Sequence, residues 1–149
     1  MTVRLAWFGL GVLTMALPGQ TWAEERFALM HHDEVVQDRR TGLLWEREPD
    51  REHEVWRRSL ERCATKTVGG QTGWRAPTIE EIKTLVDTEQ QDPSLPSGHP
   101  FLGIRSEIFW TSTPDPAFDM VAWQQSFLTG QAVTDQKSGM RRLWCVLGK

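Results

Sequence analysis

The chain of 149 residues contains only two cysteines, no tyrosine, and no long hydrophobic run beyond its first residues. Its net charge is −3 and it has no basic tail, so it lacks the clustered lysine and arginine that neutralise nucleic-acid phosphates. Phosphate loops, dinucleotide fingerprints, nucleophile elbows and zinc-protease patterns are also missing. These absences argue against a nucleic-acid partner and against an enzyme, and they give no reason to expect a cofactor.

The N-terminal residues have the pattern of a secretory signal peptide. Arg4 supplies a positive charge, residues 5–17 are mostly apolar, and a helix breaker precedes the small residue Ala23. This run is shorter than the roughly 20 residues that span a bilayer, which disfavours an uncleaved anchor. We therefore expect residues 1–23 to be removed. Residues 24–149 would then form one exported domain without a membrane span, in the periplasm, on the cell surface or outside the cell.

The two cysteines, Cys63 and Cys145, are expected to form a disulfide. Pairing is the default for an even number of cysteines in an exported chain. The alternatives are a metal pair or a reactive thiol, but two cysteines alone do not complete a structural zinc site. A bridge between these positions would close most of the domain into one loop. The chain-entropy model assigns it about 4 to 4.5 kcal/mol of stabilisation.

The first predicted helix covers residues 50–66, with Asp50 as its N-cap and Gly69-Gly70 as its end. The residues expected to turn inward are Trp56, Leu60, Cys63 and Thr67. A second stripe consists of Arg58, Arg62 and Lys66. One interpretation of that stripe is an anion-binding ridge. Helix pairs with glutamate at four-residue spacing favour a solvated, ion-paired face instead.

The second predicted helix begins at Thr78, after an extended segment over residues 74–77. Thr78 and Glu81 have the spacing of a capping box, in which each side chain accepts the other residue's backbone N–H. The buried stripe of this helix is expected to consist of Ile79, Ile82, Leu85 and Val86.

Short strands make up the rest of the predicted domain. Residues 35–38 and 43–46 form a hairpin signal, while residues 88–107 contain three prolines and no periodicity. Unstructured loops of that length are often functional. The later strand-like runs are residues 108–113, 121–128, 131–135 and 141–147, with a tight turn at Thr129-Gly130. This order predicts an α+β domain: two helices packed on short antiparallel strands, with long irregular loops.

Few side chains suggest ligand chemistry. His31-His32, followed by two acidic residues, is a possible metal cluster, but a frayed end near the mature N-terminus is the simpler interpretation, so no metal site is predicted. Asp115 and Asp119 are candidates for calcium or sugar hydroxyls, although a turn explains them more simply. Stacking on sugars is possible for tryptophan, but the apolar surroundings favour core positions. The tryptophans that follow the signal segment are Trp45, Trp56, Trp74, Trp110, Trp123 and Trp144.

Five motifs, in order, resemble those of one bacterial family. Val36–Trp45 matches its opening "D-x-x-T-G-L-x-W", Trp56 and Cys63 follow on the first helix, and Gly73–Ile82 resembles "G-W-R-L-P-T-x-x-E-L". Phe109–Thr113 is similar to "Y-W-S-S-T", and Arg142–Val146 resembles the closing "V-R-C-V-R". The resemblance runs from about residue 35 to residue 147. The family is that of the DUF1566 or Lcl C-terminal domains.

The resemblance implies a C-type-lectin-like fold, in which a disulfide typically joins the first helix to the last strand. That expectation agrees with the pairing of Cys63 and Cys145 argued above. The family also includes the C-terminal domain of a bacterial collagen-like adhesin, which binds sulfated glycosaminoglycans. The calcium-binding "E-P-N" and "W-N-D" signatures of sugar-binding C-type lectins do not occur at matching positions here.

We therefore expect a non-catalytic recognition module that binds a glycan or a protein at the cell envelope. Binding residues are expected on the irregular segments between the second helix and the late strands. The candidates are Arg105, Asp115, Phe118 and Asp119. An alternative role is a structural or assembly partner of an envelope complex. A formylglycine-generating type of enzyme is less favoured, because that chemistry needs reactive cysteines.

Overall fold

The computed structural model describes residues 26–148 and has two helices and two four-stranded sheets over that range. The elements are β1 (Phe27–Met30), β2 (Val35–Asp38), β3 (Leu44–Glu46), α1 (Trp56–Ala64), α2 (Ile79–Lys83), β4 (Ile108–Pro114), β5 (Val121–Ser126), β6 (Ala132–Gln136), β7 (Arg142–Leu143) and β8 (Val146–Leu147). The predicted α+β class is confirmed. No helix in this range is long and apolar enough to cross a bilayer.

The two sheets have the strand orders β1-β2-β3-β8 and β6-β5-β4-β7. All neighbours are antiparallel except β4 and β7, which pair in parallel through Phe109 with Arg142 and Trp110 with Leu143. The expectation of purely antiparallel strands is therefore wrong at this edge. After β6, at the far edge of this sheet, the chain returns to pair with β4 as β7 and then continues into β8 of the other sheet.

Residues 141–147 do not form the single strand predicted from their sequence. They form β7 and β8, which belong to different sheets and are separated by the fully buried Trp144 and Cys145. The Cys145 N–H donates to Glu46 Oε2 at 2.8 Å, and the Trp144 indole N–H donates to the Glu46 carbonyl at 2.8 Å. The Glu46 carboxylate thus satisfies the backbone N–H of Cys145 where the chain passes between the sheets.

The start of α1 differs from the prediction because a long-range pairing competes with the helix. The helix begins at Trp56 after Val55, which makes no side-chain cap, so Asp50 is not the N-cap. Glu54 is held in an extended bridge with Arg141 by backbone bonds of 2.9 and 3.1 Å. The residues before Trp56 are therefore not available to the helix.

The end of α1 was also predicted wrongly. The helix ends at Ala64, and Gly69 and Gly70 instead form the turn that closes the bridge between Val68 and Gln71. Their φ angles of 57° and 71° lie in the left-handed region that favours glycine. A side chain on Gly69 would also lie 2.6 Å from the Cβ of His31, so the turn packs closely against the β1–β2 connection.

The N-terminal histidines do not lie in a frayed end. β1, which the sequence did not predict, precedes them and pairs with β2. His31, His32 and Asp33 form the connecting turn, with φ angles of 49°, 58° and 63°. The predicted signal segment, residues 1–23, lies outside the described residues.

The core consists of two clusters of buried side chains. The larger one is rich in aromatic rings and centres on Trp144, which contacts Trp45, Phe101, Phe109 and Phe127. The smaller one contains the predicted disulfide between Cys63 and Cys145, which is confirmed. Four tryptophans are buried as expected, whereas Trp56 and Trp123 are only half-buried.

The segment 88–107 forms no helix or strand, as predicted, but part of it belongs to the core. Leu95, Phe101 and Ile104 are buried in the larger cluster. The buried Arg142 donates to the Gly103 carbonyl at 2.6 Å, which fastens the loop to β7. Only part of this loop therefore belongs to the scaffold, and about half of its residues are exposed.

Candidate functional site

A cleft of about 390 Å³ opens between the start of α2, the end of β4 and the strands β5 and β6. We call it the Trp123 cleft. Its walls are formed by Ile79, Glu80, Lys83, Thr113, Pro114, Pro116, Trp123 and Ala132. Apolar side chains dominate this set, with a few polar groups, which is the usual composition of a ligand site.

The α2 wall of the cleft is fixed by local hydrogen bonds. Thr78 caps the helix by accepting the Glu81 N–H, and Glu81 Oε2 accepts the Thr78 N–H at 2.8 Å, which confirms the predicted capping box. The Ile79 N–H donates to Thr113 Oγ1 at 2.9 Å. This bond joins the first turn of α2 to the end of β4.

The opposite wall is the half-buried ring of Trp123 on β5. Its carbonyl accepts a hydrogen bond of 2.8 Å from Thr111 Oγ1, which holds the backbone in place. In the described part of the chain, the Trp123 indole N–H donates to no protein group. The indole N–H groups that do donate to backbone carbonyls belong to Trp56, Trp74, Trp110 and Trp144. Trp123 thus has a donor available to a ligand.

The charged side chains in the cleft walls, Lys83 and Glu80, lie 3.5 Å apart and balance each other. Asp115 stands beside the cleft, between Pro114 and Pro116 in the sequence. Asp115 Oδ1 accepts the N–H groups of Ala117 and Phe118 at 2.8 and 3.2 Å, as expected for a residue that shapes a turn.

The structure separates the four candidate binding residues into two places. Asp115, Phe118 and Asp119 lie together in the β4–β5 turn beside the cleft, and Phe118 is 65% exposed. Arg105 precedes the other end of β4 and donates to the Asp92 carbonyl at 3.2 Å. A strand of that length spans about 20 Å, so Arg105 does not share a site with the turn residues. A binding role for either place stays a prediction.

The basic stripe on α1 contacts carboxylates, in agreement with the favoured interpretation. Arg58 lies 3.6 Å from Glu54, and Arg62 lies 3.0 Å from Asp50. Lys66 is not solvated, however, because its side chain is only 15% exposed and contacts Glu46. These cationic side chains are therefore paired with carboxylates of the protein itself.

A second buried ion pair, between Arg26 and Asp38, stabilises the fold rather than a ligand site. Asp38 is fully buried and accepts two hydrogen bonds from Arg26, at 2.9 and 2.6 Å. Burial by itself would raise the pKa of Asp38, but the Arg26 guanidinium and the Arg40 N–H outweigh it and lower that pKa. Over residues 26–148, no three His, Cys, Asp or Glu side chains are arranged to hold a metal ion.

None of the eight residues that line the cleft was among the four binding candidates predicted from the sequence, and Trp123 was expected in the core. Trp123 and Ala132 show the reason most clearly. Both are apolar residues within predicted strands, and nothing in their neighbours distinguishes a cleft wall from a core position. What distinguishes them is that β6 lies at the edge of its sheet. That edge position follows from the strand order, which local sequence patterns do not encode.

Comparison with protein-family models gives one result. The model of the Lcl C-terminal domain matches residues 34–147. The matched range runs from just before β2 to the end of β8 and includes the disulfide and every wall of the Trp123 cleft. No curated protein matches the chain significantly.

Proposed function

The chain belongs to the Lcl C-terminal domain family, and we propose that it is an exported, non-catalytic recognition module that binds a polypeptide partner of the envelope in its Trp123 cleft. The observation that carries this proposal is a half-buried tryptophan in a largely apolar cleft. Partly exposed aromatic side chains in preformed recesses are typical anchors of protein interfaces.

Export is supported by two features. The N-terminal sequence has the order of charge, apolar run and small residue found in signal peptides. The disulfide between Cys63 and Cys145 adds to this, because such bonds persist in oxidising compartments.

We further propose that the fold is C-type-lectin-like. In support, the disulfide ties the first helix to the segment between the last two strands. The first and last described strands, β1 and β8, also belong to one sheet. The disulfide agrees with what the family resemblance implies.

A non-catalytic role is supported by the state of the polar groups in the cleft. Thr113 Oγ1 accepts the Ile79 N–H, and Glu80 contacts Lys83, so neither Thr113 nor Glu80 is paired as nucleophile and base. The thiol chemistry of the formylglycine-generating enzymes is also disfavoured, because both cysteines are committed to the disulfide.

A glycan is the second candidate ligand. The half-buried indole of Trp123, with a free N–H, is suited to stacking on the apolar face of a sugar ring. The predominance of apolar side chains in the walls favours a polypeptide, because sugars need several hydrogen-bonding partners.

Site-specific photocrosslinking in the producing cells tests the polypeptide proposal. We expect benzoylphenylalanine in place of Phe118, beside the cleft, to yield an adduct with one protein of defined mass. The same group in place of Leu29, which is 41% exposed on β1 of the other sheet, should yield none. Both positions carry exposed apolar side chains, so the comparison controls for non-specific capture.

A glycan array probed with the same purified protein, with and without calcium, provides the second arm. Absence of the Phe118 adduct together with competable glycan binding would overturn the polypeptide proposal in favour of a lectin. Equal adducts from both positions would overturn the cleft as the site.

A further inference from the structure

We propose that the partner binds as an extended strand added to the open edge of β6, with one apolar side chain in the Trp123 cleft and a basic residue beside it. This inference rests on the proposed function and names the ligand class for the same cleft. The observation that supports it is that the cleft lies next to backbone groups of β6 that pair with no other strand.

The register of the second sheet shows which backbone groups of β6 face outward. The Ser126 N–H donates to the Gln131 carbonyl at 2.9 Å, and the Lys137 N–H donates to the Met120 carbonyl at 2.8 Å. Because bonding alternates along an antiparallel pair, Val133 and Asp135 also bond to β5. The N–H and C=O groups of the residues between them, Ala132 and Thr134, point away from the sheet.

These outward groups are open among the described residues. No other strand pairs with this side of β6, and neither Ala132 nor Thr134 makes a backbone hydrogen bond outside the sheet. Gln136, the next outward residue, is already satisfied: its N–H donates to Asp135 Oδ1 and its carbonyl accepts the Gly139 N–H. The open edge is therefore confined to the part of β6 beside the cleft.

This edge lacks the features by which proteins usually protect edge strands. β6 contains no proline, no lysine and no bulge, and its one charged side chain, Asp135, contacts Arg141. Edges of this kind accept an added strand, as in peptide recognition by strand addition.

The pleat of the sheet directs the added strand's side chains toward the cleft. Ala132 lines the cleft, and Thr134 stands opposite Trp123 in the register. Residues of the added strand opposite Ala132 and Thr134 would point to this same face, two positions apart. The one opposite Ala132 enters the apolar cleft.

Charge decides between a foreign segment and a second copy of this chain. In the cleft walls Glu80 is paired with Lys83, but the adjoining β4–β5 turn adds the carboxylates of Asp115 and Asp119, and the whole chain has a net charge of −3. Two copies paired through β6 would bring these carboxylates together. A lysine or arginine in the added strand, opposite Thr134 and near the β4–β5 turn, would instead be attracted to Asp115.

The test uses the purified protein and three acetylated synthetic peptides that alternate threonine with other residues. The first carries valine and lysine two positions apart, the second carries glutamate in place of lysine, and the third is the first with N-methyl groups on the residues that would face β6. Amide hydrogen exchange is followed residue by residue with NMR. We expect the first peptide to slow exchange at Ala132 and Thr134, which are unbonded in the free protein, with little change at Val133 and Asp135.

The variant Thr134→Pro removes one outward N–H without touching a bond to β5, and Thr134→Ala is its matched control. We expect Thr134→Pro to weaken binding about tenfold relative to Thr134→Ala, which keeps the outward N–H, and the N-methylated peptide to bind about tenfold more weakly than the first peptide. The glutamate peptide should also bind more weakly. Val133→Ala, on the other face of β6, checks that loss of side-chain packing alone has no such effect.

The outcomes separate this inference from the proposed function. Peptide binding that shifts the Trp123 resonances without protecting Ala132 and Thr134 would overturn strand addition and leave the cleft as the site. Protection of both amides in the free protein, with a dimer in sedimentation, would show a second copy instead. Binding of glycans and of no peptide would overturn the proposed function itself.

Discussion

Replacement of both Cys63 and Cys145 by alanine is expected to lower the free energy of unfolding by about 4 to 4.5 kcal/mol. The bond closes a loop of 82 positions, and loops of that size lose the most conformational entropy in the unfolded chain when they are closed. Both cysteines are fully buried, and alanine keeps the sites apolar. The melting temperature should fall by about 15 °C, measured by calorimetry under non-reducing conditions.

Ser59→Ala is the matched control for the cysteine variant. Ser59 lies one turn before Cys63 on α1, is fully buried, and its hydroxyl has no hydrogen-bond partner. Removal of an unsatisfied buried hydroxyl should leave stability nearly unchanged. A double cysteine variant as stable as this control would contradict the role given to the bridge.

Lys66→Met is expected to lower the free energy of unfolding by about 3 to 5 kcal/mol at pH 7, because it leaves the carboxylate of Glu46 buried without its cation. Lys66 and Glu46 are 15% and 2% exposed and in direct contact. Adding Glu46→Gln should recover much of the loss, since the glutamine carbonyl can still accept the Cys145 N–H that Glu46 accepts. Chemical denaturation of the single and double variants measures this recovery.

The same pair predicts a pH dependence. Burial raises the pKa of Glu46 above its ordinary value of 4.5, and the Lys66 ammonium acts against that rise. A carboxyl with a raised folded-state pKa loses stability as the pH rises from its unfolded pKa through its folded one. Without Lys66 the pKa of Glu46 in the folded protein rises further. The loss in free energy of unfolding caused by Lys66→Met should therefore be large at pH 7 and small below about pH 4.5.

Arg57→Met on the exposed face of α1 is the control for this variant. Arg57 contacts Glu61, but both side chains are mostly in solvent, so the substitution should have little effect at any pH. A deficit for Lys66→Met that does not change between pH 4 and pH 7 would show that Glu46 is not the group left unpaired.

Local sequence chemistry predicted those parts of the fold that depend on short-range interactions. The capping box of Thr78 and Glu81 needs only two side chains at three-residue spacing. The pairing of Cys63 with Cys145 followed because no other cysteines compete.

The wrong predictions have long-range causes. Asp50 has the identity of an N-cap, but it contacts Arg62 and Lys66 instead, because Glu54 pairs with Arg141 and delays the helix. The C-terminal segment has the pattern of one strand, yet it is divided between two sheets, and the Glu46 carboxylate accepts the Cys145 N–H at the point of division. Neither contact has a signature within a short window of sequence.

The candidate site was predicted only in part for the same reason. Asp115, Phe118 and Asp119 were identified as loop residues, and they do lie beside the cleft. Trp123 and Ala132 become neighbours of that turn only after β4, β5 and β6 pair in register. Sequence patterns identify the β4–β5 turn, whereas the walls of the Trp123 cleft form only when the strands pair.

The most direct test of the recognition role compares two half-buried tryptophans. Trp123 packs against the larger cluster and lines the cleft, whereas Trp56 packs against the smaller cluster and donates to the Thr111 carbonyl at 2.7 Å. Each is replaced by alanine in protein carrying benzoylphenylalanine at position 118, after both variants are shown to be folded. We expect Trp123→Ala to reduce the crosslinked adduct about tenfold or more and Trp56→Ala to leave it unchanged. Equal adduct from the two variants would contradict recognition through the Trp123 cleft.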